Sequence, residues 1–314
     1  MAATSFLLVS FSVAVWMSII GVVFASLSSG LGELSFLSLS VFFNRNVLEG
    51  WGSGTGGAGV AGAFLYSALI QAGLSPQVTL LIMLVVPFLM LVSYFMVLVP
   101  SSSLPQWSRM QTDYEALDSE ETQQLLDESE DESSTPENED RSVGPVTIKE
   151  KFEIIKSLVW FVIPLGLVYF AEYFINQGLM ELLFFRNFFL SHAAQYRWYQ
   201  TLYQVGVFVS RSSLCCLKIR KLWIFSFLQV LNAIFLVFAV RFQFLPSAWL
   251  MFGIIFYEGL LGGAAYVNTF YFISKETEDR YREFAMAMAS VGDSLGIALA
   301  GCVAFPVHHY FCSF

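Results

Sequence analysis

An all-α fold, a polytopic bundle of about nine transmembrane helices, is what this sequence predicts. Hydrophobic residues make up 56% of its 314 residues and charged residues only 13%, against roughly a quarter charged in an ordinary soluble domain. Mean hydropathy is +0.63, and 32 residues are Phe. Such a chain cannot cover itself with polar surface. Its charge is also segregated. Residues 101–150 hold 14 acids and 3 bases, while the rest holds 11 acids and 13 bases. The net charge of −9 therefore belongs to one tract and not to the fold.

A bilayer core takes about 20 mostly apolar residues per helix. That ruler places spans near 3–20, 21–43, 54–74 and 77–99, then, after the acidic tract, near 157–180, 191–213, 222–241, 246–272 and 283–306. Three regions follow: an N-terminal set of about four spans (1–100), an acidic loop (101–150) and a C-terminal set of about five spans (151–314). Residues 1–20 carry no base, so they lack the basic start of a secretory signal and read as a bare transmembrane helix. The chain is expected to be missing its natural beginning.

Lys and Arg placement sets the orientation. With the acidic tract in the cytosol, twelve bases fall in cytosolic loops, while Arg186 and Arg241 alone fall in loops on the other side. This is the asymmetry of the positive-inside rule. It puts the N-terminus in the cytosol and the C-terminus across the membrane. The tract, poor in large apolar residues after Leu126, cannot repay its ordering entropy and is expected to be disordered. Within it, Glu121 precedes Leu125-Leu126 in the pattern of an adaptor-read dileucine sorting signal, a short pattern that also arises by chance. No basic stripe exists for a nucleic acid.

Glycines crowd residues 50–62, and Gly54, Gly56 and Gly59 fit G-x-G-x-x-G. A dinucleotide site needs a preceding strand and an acid about 20 residues on. An apolar helix follows instead, and after the glycine run no acid occurs until Asp113. Close helix packing explains the glycines better. The run Gly259-Leu-Leu-Gly-Gly263 has the same character.

Ionisable residues inside spans are costly, about 2.5–3.5 kcal/mol each near the bilayer centre. Glu33, Glu172, Glu258 and Asp293 are four such acids. They either line a polar cavity that takes protons or a cationic group, or serve as buried polar glue. Glu172 and Asn176 share a helical face, with Gln177 beside them. Glu258 and Asn268 lie on one helix about 80° apart and are expected to border one cavity at different depths. Arg197 lies among aromatics and Gln residues and suits an anionic solute, or else belongs to an interfacial belt. Arg211, near a helix end, is the weaker candidate because it can snorkel. Cys215 and Cys216 adjoin a basic run, where they are either small packing residues or palmitoylation sites. Three histidines make no zinc set; no metal or cofactor is expected. H-E-x-x-H, G-x-S-x-G and the phosphate-binding G-x-x-x-x-G-K-[ST] are all absent, which argues against an enzyme.

Several strings resemble the battenin family: Val22-Val-Phe-Ala-Ser-Leu-Ser-Ser-Gly-Leu-Gly-Glu33, Ser53-Gly-Thr-Gly-Gly-Ala-Gly59, Tyr169-Phe-Ala-Glu-Tyr-Phe-Ile-Asn-Gln-Gly178, Gln195-Tyr-Arg-Trp-Tyr-Gln200 and Tyr257-Glu-Gly-Leu-Leu-Gly-Gly-Ala-Ala-Tyr-Val-Asn-Thr-Phe270. The resemblance covers nearly the whole chain outside the acidic tract. It implies a lysosomal and late-endosomal membrane protein related to the major facilitator superfamily. It further implies a role in clearing glycerophosphodiesters, with effects on lysosomal pH, trafficking and autophagy. The family's dileucine-type signal matches Glu121, Leu125 and Leu126. Its Glu in the Phe-Ala-Glu-Tyr-Phe string falls on Glu172, and its Arg in Ser-Arg-Ser-Ser-Leu falls on Arg211. The implied partners are the lipid bilayer, a small polar solute, protons and adaptor complexes. The alternative is a non-transporting scaffold that regulates trafficking through its cytosolic loop. Three departures stand out: the family's first helices are lacking, Cys312 is third and not fourth from the end as prenylation requires, and no Asn-x-Ser/Thr sequon occurs.

Overall fold

A computed structural model describes residues 1–43, 46–98 and 148–313. Arg45 and the acidic tract up to residue 147, with Glu121, Leu125 and Leu126, lie outside the described residues. The described part is helical: α1 Ala2–Ser10, α2 Val15–Ser40, α3 Val47–Gln71, α4 Pro76–Met83, α5 Val85–Val92, α6 Ile148–Phe174, α7 His192–Ser212, α8 Trp223–Phe242, α9 Ala248–Glu276 and α10 Asp279–Cys312. A π turn, Ser93–Val97, extends α5, and another, Ile175–Leu179, extends α6. Residues 1–98 and 148–313 belong to one compact unit.

Among the described residues, six helical stretches are long and apolar enough to cross a membrane by length and composition: Val15–Ser40, Pro76–Val97, Lys149–Leu182, Trp223–Phe242, Ala248–Glu276 and Asp279–Cys312. The expected span over 3–20 does not form. Its place is taken by the nine-residue α1, about 14 Å long at 1.5 Å per residue, half of a ~30 Å hydrocarbon core. The chain breaks over 11–14, where Ala14 is extended and Ser18 Oγ donates to Ser12 Oγ at 2.9 Å. Helices α3 and α7 have 25 and 21 residues, enough to span, but glycines in one and Gln, Arg and Tyr in the other lower their apolarity.

Start and stop signals are conventional. Ser75, Ser191 and Ser247 accept from backbone N–H groups three residues ahead and cap α4, α7 and α9. Gln243, with φ 49°, ends α8 in the left-handed region. Apolar residues face outward along the spans; Phe95, Met96 and Phe305 are each more than three-quarters exposed. In water this would be an aggregation surface, whereas lipid tails are its matching solvent.

Four helix crossings depend on missing side chains. A Cβ on Gly56 would lie 2.9 Å from the Phe208 Cα, and one on Gly52 2.8 Å from Val267 Cγ1, so α3 lies directly on α7 and α9. Gly206 of α7 meets the backbone of Phe256 and Gly259 of α9, and Gly259 in turn meets Tyr203 and Val207. Gly296 of α10 lies against Gly166 of α6. Small residues let backbones approach where lipid supplies no hydrophobic drive between helices. The glycine run at 50–62 is thus a packing surface on its Gly52, Gly56 and Gly59 face. Gly50, Gly54 and Gly62 meet nothing within 4 Å.

Candidate functional site

The close α7–α9 crossing leaves room for polar side chains in its angle with α6. Glu172 stands in the last turn of α6, just before the helix widens into the Ile175–Leu179 π turn. Such single-turn bulges re-aim side chains and concentrate at functional sites. Here Asn176 turns inward, and its Nδ2 donates to the Glu172 carbonyl at 3.1 Å and to Glu258 Oε1 at 3.3 Å. Tyr203 of α7 donates to Glu172 Oε1. Gly262 gives the Glu172 carboxylate its place, since a Cβ there would overlap it. Glu172 is 2% exposed and Glu258 is fully enclosed.

A second polar group adjoins on the α2–α3 side. Arg211 Nη1 donates to Thr55 Oγ1 at 2.8 Å, Nη2 donates to Tyr169 Oη at 3.3 Å, and the guanidinium lies 4.1 Å from the centre of the Tyr266 ring. Tyr266 donates to Glu33 Oε1 at 2.5 Å and accepts from Trp51 Nε1 at 3.3 Å. Tyr169 stacks with Tyr173 at 6.0 Å and lies within electrostatic reach of both Arg211 and Glu172. The two groups therefore form one polar core. Asp293 of α10 is buried, accepts from Ser294 Oγ at 3.3 Å, and has Glu33 and Arg211 as electrostatic neighbours.

This core draws on α2, α3, α6, α7, α9 and α10. It holds four acids and one guanidinium in an apolar bundle. Glu172 Oε2, Asn176 Oδ1, Glu258 Oε2 and Arg211 Nε are buried without a protein hydrogen-bond partner. Leaving such groups unpaired costs about 1–3 kcal/mol each. The arrangement can accept protons on its carboxyl groups, donate to an anion from Arg211, or hold water between the two.

The other candidate residues are placed elsewhere. Asn268 accepts from the Ile219 N–H at 2.6 Å and donates to the Ala264 carbonyl at 2.8 Å. It clamps the connection before α8, and shares no observed contact with Glu258, ten residues earlier. Gln177 is exposed, beside Gly301. Arg197 is half-buried, with its Nε unpartnered, and lies 14 residues from Arg211, about 21 Å along α7. Arg211 does not snorkel away from the bundle; three aromatic or hydroxyl side chains hold it inside. Cys215 and Cys216 are exposed, with their Sγ atoms 3.3 Å apart. Nearby Lys218 pairs with Glu49 at 3.3 Å, and this hydrogen-bonded carboxylate raises its ammonium above the ordinary value. No three His, Cys, Asp or Glu side chains among the described residues form a metal-binding group. Sequence reasoning missed Thr55, Tyr169, Tyr203 and Tyr266. A Tyr in an apolar helix looks like any core aromatic until its hydroxyl partner is known.

Fold and site together define a multi-pass helical membrane protein with an ionisable core. The chain belongs to the CLN3 protein family, whose model matches residues 1–314. It is 56% identical to battenin of Canis lupus familiaris over 311 residues, covering 99% of this chain and 69% of that protein. It is 39% identical to protein btn1 of Aspergillus fumigatus, covering 93% and 67%, and 38% identical to protein BTN1 of Yarrowia lipolytica, covering 98% and 75%. No solved structure matches the chain.

Proposed function

We propose that this chain is a facilitator-type transporter of the lysosomal and late-endosomal membrane. In this reading it moves a small polar solute of the glycerophosphodiester class, with protons taken up on its buried carboxyl groups. The observation that carries the reading is the six-helix polar core, four of whose buried polar atoms lack a protein partner. A bundle that served only as an anchor gains nothing from that cost, whereas a solute site at the meeting of two helical sets needs unpaired groups for its ligand. Arg211 would receive the phosphate diester, because the guanidinium matches phosphate geometry; Arg197 would meet the solute near the opposite membrane face. A major-facilitator-like arrangement of the helices, control of lysosomal pH and autophagy, and adaptor recognition through Glu121, Leu125 and Leu126 belong to the same proposal.

Counterflow of a labelled glycerophosphodiester in proteoliposomes tests it. Glu172→Gln and Arg211→Ala are expected to cut flux at least tenfold, with protein yield and monodispersity unchanged. Wild-type flux no greater than in empty liposomes would defeat the transporter reading. It would favour a scaffold acting through residues 101–150, which deletion of that tract would then disable.

A further inference from the structure

The charged end of the α6–α8 pair holds a cleft that the polar core does not use. It has a volume of about 550 Å³, and Ser157, Trp160 and Phe161 of α6 form one wall. Arg220, Lys221 and Trp223 form the other, and Glu276 at the end of α9 closes it. Trp160 and Trp223 meet edge to face with ring centres 6.3 Å apart, and they are 70% and 44% exposed.

Depth and charge say what can fill this space. The charged residues Lys149, Glu150, Lys151, Glu153 and Lys156 precede the cleft on α6, and no charge then follows until Glu172. The cleft therefore sits where the helix passes from headgroups into hydrocarbon, the level at which Trp collects. Glu276 is already neutralised, because Arg220 grips both its oxygens, Nε at 2.7 Å and Nη2 at 2.8 Å. Lys221 is exposed, and no ion pair or hydrogen bond from its side chain is seen among the described residues. The cleft thus carries one uncompensated positive charge above an apolar, aromatic floor. A soluble anion would use only the rim. A molecule with a phosphate at one end and an acyl chain at the other fills both parts.

We propose that this cleft binds an anionic phospholipid of the leaflet on that side, the cytosolic leaflet in the orientation set by the bases. The lipid phosphate lies against Lys221 and the outer edge of Arg220, and an acyl chain descends along Trp160 and Phe161. A basic pocket between helices on the cytosolic side is the setting in which anionic headgroups are recognised. The inference does not depend on whether the polar core transports anything.

Binding of fluorescent phosphatidic acid to the purified protein in phosphatidylcholine nanodiscs tests it. Wild type is expected to retain phosphatidic acid, with competition from unlabelled phosphatidic acid and none from inorganic phosphate or glycerol 3-phosphate. Lys221→Ala should weaken binding about fivefold, the effect of one base near a membrane surface. Lys221→Arg should keep it, and Trp160→Ala should reduce it with Lys221 intact. Lys149→Ala removes the same charge about 16 Å away along α6 and should change little. Two outcomes overturn the proposal: equal loss in Lys149→Ala, which means diffuse surface charge, or displacement by inorganic phosphate, which means an anion site without a lipid chain.

Discussion

Gly259 and Gly253 lie six residues apart on α9 and should respond oppositely to the same methyl group. At Gly253 a Cβ meets nothing within 4 Å. Alanine there recovers the helix-propensity deficit of glycine, about 0.5–1 kcal/mol. At Gly259 the Cβ would lie 3.0 Å from Val207 N, 3.1 Å from the Tyr203 carbonyl carbon and closer still to the Tyr203 oxygen. Comfortable contact needs about 3.5–4.0 Å, and the obstructing atoms are backbone, so no rotamer change relieves the clash. Helix α7 must shift by several tenths of an ångström or more. Overpacking of this kind costs about 1–3 kcal/mol, which outweighs the propensity gain. The propensity gain is common to both, so the two variants should differ by the overpacking term alone, roughly 1–3 kcal/mol. Thermal unfolding in detergent, or titration of folded protein with SDS, measures the difference. Because α7 carries Tyr203 to Glu172, Gly259→Ala should also lower flux. Equal stability of the two variants would refute the claim that α7 and α9 meet backbone to backbone.

Two further substitutions probe the polar core and the loop that closes the opposite end. Tyr266→Phe keeps the ring under Arg211 but removes the donor to Glu33 and the acceptor of Trp51. It should cost about 1–3 kcal/mol, whereas Tyr257→Phe, on an exposed face of the same helix, should stay within about 0.5 kcal/mol; SDS titration compares them. Gln195→Ala removes a fully buried amide that donates to the Phe185 and Leu190 carbonyls and accepts from the Phe185 N–H. Amide hydrogen exchange over residues 185–191 should accelerate while exchange in α9 stays unchanged; uniform acceleration would mean global destabilisation and not a local clamp.

Much of the molecule was legible before its coordinates. Composition forces the helical class, because apolar segments this long leave backbone groups no partner but their own helix. The glycine run over 50–62 marks its helix for close packing, but that Gly52, Gly56 and Gly59 form the packed face and Gly50 and Gly54 do not was decided by the crossing. The cost of an intramembrane charge singles out Glu33, Glu172, Glu258 and Asp293; the last three are buried, and Glu33 is half-buried. The first break was not legible. Hydropathy over 1–20 is continuous, and the α1–α2 turn over 11–14 interrupts the helix inside it.

What tertiary structure alone decided is which polar residues meet. Arg211 and Arg197 are equally unusual letters in one helix, yet only Arg211 reaches Thr55, Tyr169 and Tyr266, residues 42 to 156 positions away in the chain. Asn176, at the start of a π turn, faces Glu258, and Asn268 holds a loop instead of bordering the same space. A sequence states the price of burying each charge, since that depends on residue type and depth. It does not state the partner that makes burial tolerable, because partners are set by helix crossings, and those crossings are fixed by which glycines happen to face one another.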